Sequence, residues 1–123
     1  MDRMMILALS GALCLANGAI AAPSGYHIVK TITLGGEGGW DYLNRDPATG
    51  NLFITRGTHV MVVNPMDGKL VADILDLQGV HGTVFVGDRA YVSEGGANRS
   101  CVLHKKAFAH VGGLPVAPTR DVP

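Results

Sequence analysis

Short runs of apolar or alternating residues follow one another along the chain, and glycine, proline, asparagine or aspartate separates them. Runs of about four to eight residues of this kind are typical of β-strands. Beyond the N-terminal leader, no segment has a sustained helical period. The pattern predicts turns at Pro47–Gly50 and Met66–Lys69, and strands at His27–Leu34, Asp41–Asn44, Leu52–Thr55, Val60–Asn64, Lys69–Ile74 and Ala90–Ser93.

The strand pattern repeats at a spacing of about forty residues, which is itself a structural signal. Three pairs of segments correspond: Trp40–Tyr42 with Val80–Gly82, Leu52–Thr55 with Ala90–Ser93, and Val62–Asn64 with Val102–His104. Four short strands in about forty residues are typical of one blade of a β-propeller. The expected fold is therefore all-β, a partial β-propeller of about two four-stranded blades.

Two stretches also resemble a known repeat. Leu52–Asn64 with the turn Asp67–Lys69, and later Ala90–His104, are similar to the strand pattern LYVSxxxxNxVxVxD and the TGK turn of the YVTN-type (YncE-like) bacterial β-propeller repeat proteins. The resemblance is good over Tyr26–Asn98 and weak over Arg99–Pro115. It implies a secreted, radially repeated all-β fold whose members mostly bind or scaffold.

The second repeat departs from this pattern and is expected to decay after Asn98. His104 stands where the first repeat has Asn64, and Ala107-Phe108 replaces Asp67-Gly68. A closed propeller needs about four blades or more, so we expect a truncated or frame-shifted copy of a longer protein. Residues 22–115 then form an incomplete repeat region and residues 116–123 a disordered tail. The alternative is a short natural variant that oligomerises, with exposed blade edges as a route to self-association.

The first 21 residues are predicted to be a secretory signal peptide. The apolar stretch Ile6–Ala16 has the usual length of a signal-peptide core and is too short to span a bilayer. Small residues at Ala19 and Ala21 favour cleavage after Ala21, and a buried N-terminal helix is the alternative. Export places the chain in the periplasm or outside the cell, with no membrane span after cleavage. Cys101 then lacks a disulfide partner in the chain and is expected to be a small core side chain.

The amino-acid composition of the chain mainly excludes certain classes of binding partner. The chain has 10 Lys plus Arg and 10 Asp plus Glu, and this balance argues against a nucleic-acid surface. The run Gly35–Gly39 is not expected to cradle phosphate, because strands flank it and Glu37 would repel an anion. We expect no cofactor and no bound metal. The partner expected is an unidentified protein or a small-molecule ligand.

Propeller geometry, as implied by the resemblance, gathers two kinds of loop on one rim. The side chains expected on this ligand-binding rim are Trp40, Asp41, Arg56, His59, His81, Glu94 and Asn98. Asp41 and His81 are equivalent in the repeat, and a carboxylate beside an imidazole either binds a metal, moves a proton or hydrogen-bonds adjacent loops. His59 and Asn98 are also treated as equivalent and as partners of loop backbone. Trp40 either packs between blades or stacks on a ligand.

Two functions of different class follow from these features. The first is a non-catalytic binding or scaffold module, because the sequence lacks Gly-x-Ser-x-Gly, His-Glu-x-x-His and Cys-x-x-Cys. The second is a metal-assisted hydrolase or lactonase at the channel mouth that uses Asp41, His81 and Glu94.

Export predicts a defined N-terminus. The periplasmic or extracellular product should begin at Ala22 or next to it, because signal peptidase requires small residues before the cleaved bond. N-terminal sequencing of the secreted chain measures this directly. A mature cytoplasmic product that retains Met1 would contradict the assignment.

Overall fold

A computed structural model of the protein describes residues 25–116. The predicted leader, residues 1–21, lies outside this range, as does the predicted tail apart from Val116. The chain folds into two four-stranded antiparallel sheets, each a simple meander, with a 3-10 turn at Gly95–Ala97. The first sheet contains β1 (Leu43–Arg45), β2 (Leu52–Arg56), β3 (His59–Val63) and β4 (Leu70–Ile74). The second sheet contains β5 (Val80–Val86), β6 (Arg89–Glu94), β7 (Arg99–His104) and β8 (Ala109–Pro115).

The all-β prediction is confirmed, and both sheets are open rather than closed into a ring. The strands predicted around β2, β3, β4 and β6 are present, and their ends differ from the prediction by no more than one residue. The sequence pattern missed β5, because Gly82 interrupts its apolar alternation. Its register with β6 shifts at that point, between Val80 and Thr83.

Two of the three hairpin turns of the first sheet, β1–β2 and β3–β4, follow from a polar residue and a glycine four positions later. Asp46 accepts a hydrogen bond from the N–H of Gly50 at 2.8 Å, and Asn64 accepts one from the N–H of Gly68 at the same distance. Both glycines have a φ of 78°. This left-handed conformation is unfavourable for residues with a Cβ, so glycine sets where these turns form.

The expectation that the second repeat decays after Asn98 is wrong. β7 pairs with β6 and β8 pairs with β7, so the second sheet is as complete as the first. His104 replaces Asn64 in its turn, because its Nδ1 accepts from the N–H of Ala107 at 3.2 Å. Phe108 adopts a positive φ of 52° there, an unusual conformation for a bulky residue. Its ring contacts the core, and this packing compensates for the backbone conformation.

The predicted strand His27–Leu34 is also wrong, because this segment forms no β-strand and belongs to neither sheet. It instead runs against the first sheet, where Leu34 packs on Ile54, Met61 and Val63. Ile32 and Leu34 are half-buried, whereas Ile28 on the same side of the alternating pattern is 85% exposed. The alternation therefore indicated an apolar side near the end of this segment without specifying hydrogen-bonded strand partners.

The two sheets pack face to face around an apolar core. Phe53 on β2 meets Phe85 on β5 edge to face, with ring centroids 4.9 Å apart. Cys101 is buried in this core as predicted, and burial raises the pKa of its thiol. The buried core residues come from both sheets and the connection between them: Phe53, Val60, Val62, Ile74, Leu77, Val80, Ala90, Val92, Cys101 and Leu103.

A buried ion pair joins the two sheets. Lys105 follows β7 and donates to Oδ1 of Asp46 at 2.7 Å, and both side chains are almost completely buried. Burial by itself raises the pKa of Asp46, but hydrogen bonds from Lys105, Thr49 and the N–H of Ala48 outweigh it and hold the pKa below its usual value. No pattern in the sequence indicates this contact, since the partners lie 59 positions apart.

Replacing Asp46 with Asn should destabilise the fold by about 3 kcal/mol, because the ammonium of Lys105 stays buried without its counter-charge. Asp67→Asn is the matched control. Asp67 pairs with Lys69 on the surface, so its loss should cost less than about 1 kcal/mol. Chemical denaturation of both variants measures the difference, and equal losses would contradict the importance of the buried pair.

The same pair predicts a pH dependence. A folded-state pKa below the unfolded value of about 3.9 stabilises the fold above that pH, and this contribution is lost as the pH falls through the folded value. The free energy of unfolding of the wild type should therefore approach that of Asp46→Asn as the pH drops below about 4. A difference that stays constant across this range would contradict the assignment.

Candidate functional site

Loops from both sheets meet at one end of the molecule. The connection between β4 and β5 is the centre of this end. The N–H of Leu77 donates to the carbonyl of Thr58 in the β2–β3 turn at 3.0 Å, and the carbonyl of Gly79 accepts from the N–H of Gly95 in the β6–β7 turn at 2.8 Å. The fold therefore brings the loops that carry the predicted rim residues next to one another.

Arg56, at the end of β2, holds the glycine-rich loop that precedes β1. Its buried guanidinium donates to the carbonyl oxygens of Gly35, Gly36 and Gly38, the last two at 3.1 and 2.9 Å. The ring of Trp40 lies over the guanidinium, 4.0 Å from its central carbon. The loop thus binds an internal cation through its carbonyl groups. Arg56 has only 3% of its surface exposed, so little of it faces solvent.

Glu94, at the end of β6, has the same role in the second sheet with the opposite charge. Its fully buried carboxylate accepts from the N–H of Gln78, in the loop that precedes β5, at 3.0 Å. The side chain of Arg99 donates to the same carboxylate through Nε at 2.7 Å and Nη2 at 3.3 Å. Each repeat therefore anchors the loop in front of its own sheet, through a cation in one case and an anion in the other.

Asp41 and His81 are in contact between the two sheets. Nδ1 of His81 donates to the carboxylate of Asp41, and because a carboxylate can only accept, the proton lies on Nδ1. Nε2 faces the backbone of Gly95, where an added methyl carbon would lie 3.1 Å from it. The pair therefore connects adjacent loops and also fixes the direction of the imidazole.

A cavity of about 270 Å³ opens beside His81 at the loop end of the second sheet. The side chain of Arg99 is partly exposed there, and Nη1 makes no hydrogen bond within residues 25–116. Hydrogen bonds and the charge of Glu94 raise the pKa of Arg99, so its guanidinium is positively charged. The residues that line the cavity are His81, Ser93, Glu94, Gly95, Asn98, Arg99 and Val116.

The predicted equivalence of His59 and Asn98 is wrong. His59 pairs with Arg56 at the start of β3, and Arg99 pairs with Glu94 at the start of β7, so His59 corresponds to Arg99. Nε2 of His59 lies 3.9 Å from Asp73 on β4. The forty-residue spacing, applied at this position, would have identified Arg99 as the equivalent residue.

Three of the seven predicted rim residues line the cavity, namely His81, Glu94 and Asn98. Asn98 ends the 3-10 turn in a left-handed conformation, and its carbonyl accepts from the N–H of Val116 at 3.1 Å. Asp41 acts on the cavity through His81. The other three lie outside the cavity: Trp40, Arg56 and His59. The sequence missed Arg99 and Ser93 because both lie within strands at the edge of the rim.

Two further observations concern residues 25–116 only. No group of three His, Cys, Asp or Glu side chains in this part of the chain could hold a metal ion. Within the same range, no helix is long and apolar enough to cross a bilayer.

Replacing Arg56 with Lys should release the glycine-rich loop and lower the stability by about 2 kcal/mol, since one ammonium cannot reach three separated carbonyl groups. Trp40 is the only tryptophan, so its fluorescence reports on the loop. Its emission should shift to longer wavelength as it loses the contact with the guanidinium. Arg89→Lys, at an exposed ion pair, is the control and should leave the spectrum unchanged. An unchanged spectrum in both variants would contradict the role of Arg56 in holding the glycine-rich loop.

No protein-family model matches the chain, and no curated protein matches its sequence. The features that bear on function are therefore the cavity, the residues that hold it and the repeat.

Proposed function

We propose that the chain is an exported, non-catalytic binding module that takes a small carboxylate ligand in the cavity beside His81 and Arg99. One observation supports this proposal: the side chains of His81 and Arg99 are each paired with a buried or partly buried carboxylate. Glu94 orients Arg99 and Asp41 orients His81 before any ligand arrives. Preorganised groups of this kind reduce the entropic cost of binding.

The charges of the site favour an acceptor of hydrogen bonds. Asp41 and Glu94 already have partners, whereas Nη1 of Arg99 is directed away from Glu94 and has hydrogens to donate. A ligand carboxylate would form a charge-assisted hydrogen bond there, worth roughly 1.5–3 kcal/mol. Gly95 and Val116 form a small and an apolar part of the cavity wall. The volume of about 270 Å³ limits the ligand to a few heavy atoms.

We further propose the architecture that the repeat implies. The two sheets are taken as consecutive blades of a YVTN-type β-propeller that belongs to a longer protein, exported to the periplasm or the cell exterior. Equivalent positions in the two repeats occupy equivalent strands, and the sheets stack face to face, which supports this assignment. The DNA downstream and in the other reading frames tests it: further repeats there would support a gene fragment.

One observation favours a hydrolase as the second candidate. Asp41 holds the Nδ1 side of His81, which leaves Nε2 as the ring nitrogen that is directed to the cavity residue Gly95, and general-base catalysis uses a ring nitrogen oriented in this way. Glu94, the third residue of the proposed metal-assisted mechanism, is already bound by Arg99 and Gln78. The binding module is therefore the better supported of the two functions.

Titration with acetate, lactate and succinate, followed by the backbone amide signals in NMR spectra, should shift Gly95, Asn98 and Arg99. Gly95→Ala should weaken binding about tenfold or more, because its methyl group projects against His81. Gly82→Ala is the matched control, since nothing lies within 4 Å of its added carbon. Binding by Gly95→Ala with wild-type affinity, or no shift with any of the three acids, would contradict the proposed site.

Hydrolysis assays separate the two candidates. The wild type should leave γ-butyrolactone and p-nitrophenyl acetate unchanged relative to buffer, both with and without added Zn²⁺. Hydrolysis by the wild type that His81→Gln abolishes would replace the binding module with the hydrolase.

A further inference from the structure

The two ring nitrogens of His81 have different surroundings. Nδ1 contacts the carboxylate of Asp41, which can only accept a hydrogen bond, so the proton of the neutral imidazole lies on Nδ1. Nε2 then carries a lone pair and accepts hydrogen bonds. The side chain is 58% exposed, and Nε2 makes no hydrogen bond within residues 25–116. His81 therefore has an acceptor available for a ligand.

Gly95 leaves space beside this nitrogen. A carbon added at Gly95 would lie 3.1 Å from Nε2 of His81 and 3.4 Å from the neighbouring ring carbon Cδ2. A residue with a Cβ would therefore crowd this edge of the ring, whereas glycine lets a ligand approach it. Both residues line the cavity of about 270 Å³. The acceptor of His81 is thus directed to the same small cavity that contains Arg99.

The cavity combines two polar groups of opposite hydrogen-bonding character. Nη1 of Arg99 donates, and it has no partner in the described part of the chain. The carboxylate of Glu94 is already bound by Arg99, and the hydroxyl of Ser93 accepts from the N–H of Gly82 at 3.1 Å. A ligand that carries a carboxylate alone would satisfy Arg99 and leave Nε2 of His81 without a donor.

We propose that the ligand is a small hydroxy acid, an inference that rests on the carboxylate site proposed above. The ligand carboxylate accepts from Nη1 of Arg99, and the ligand hydroxyl donates to Nε2 of His81. Asp41 is a positioning residue in this arrangement, because it selects the tautomer of His81 that accepts. Asn98 also lines the cavity, but an amide both donates and accepts and so does not impose this choice.

Glycolate and propionate test the hydroxy acid, because they have the same number of heavy atoms and differ in a hydroxyl in place of a methyl group. At about pH 8 a free imidazole is neutral. Glycolate should then bind the purified chain about three- to tenfold more tightly than propionate, as one added hydrogen bond predicts. Titration followed by the backbone amide signals of Gly95 and Arg99 measures both dissociation constants. Equal affinities, or tighter binding of propionate, would overturn the hydroxy acid.

His81→Phe should abolish the preference for glycolate and keep the binding of propionate, since Arg99 is unchanged. His59→Phe is the matched control, because His59 also lies near an aspartate, Asp73, but outside the cavity. It should retain the preference of the wild type. A preference that survives in His81→Phe, or that His59→Phe abolishes to the same extent, would overturn the role of Nε2.

The tautomer of His81 can be measured without a ligand. Long-range proton–nitrogen NMR spectra of the imidazole should place the proton on Nδ1 in the wild type. In Asp41→Ala the proton should distribute over both nitrogens, and the preference for glycolate should fall. A wild-type proton on Nε2 would overturn the inference, even if His81→Phe fails to fold. Equal binding of both acids overturns only the hydroxy acid, whereas binding of neither acid overturns the carboxylate site as well.

Discussion

A β-sheet that is apolar on both faces must be covered on both, and this constraint governs residues 25–116. Two such sheets present four apolar faces but share only one interface, which Phe53, Val62 and Leu103 help to fill. The remaining two faces differ in whether another part of the chain covers them. The segment before β1 covers one through Leu34, while the other stays open around Val84. The segment that contains residues 27–34 therefore lies against a sheet face and forms no strand.

Apolar packing has no preferred direction, so polar contacts determine how the sheets are aligned. Three contacts between the sheets do this: Lys105 with Asp46, the N–H of Thr83 with the side chain of Asn44, and His81 with Asp41. The contact between Lys105 and Asp46 is buried. An unpaired charge in such a position costs several kcal/mol, so this contact permits little displacement of one sheet relative to the other. The last lies at the loop end. The same alignment of the two sheets that buries the apolar core therefore also places His81 beside the cavity.

In both repeats a charged side chain anchors the loop that precedes the sheet, but the sign of its charge differs between the repeats. Arg56 holds its loop by donating to carbonyl groups, and Glu94 holds the equivalent loop by accepting from an N–H. This reversal explains why the cavity lies in the second sheet. Glu94 needs a cation, and Arg99 supplies one at the rim. Arg56 obtains its partners from its own loop, so the first sheet gains no comparable exposed cation.

The sequence by itself determined the local structure and one pair of neighbours. Strands such as β2 and β3 were predictable because apolar alternation between turn residues is a local signal, and the repeat placed Asp41 and His81 at equivalent positions. The tertiary structure alone decided three features: the position of residues 27–34 against a sheet face rather than in a strand pair, the contact of Lys105 with Asp46, and the position of Arg99 in the cavity. A pattern along the chain specifies an extended backbone and its apolar side. Which surface covers that side depends on residues distant in sequence, because packing is decided between whole sheets.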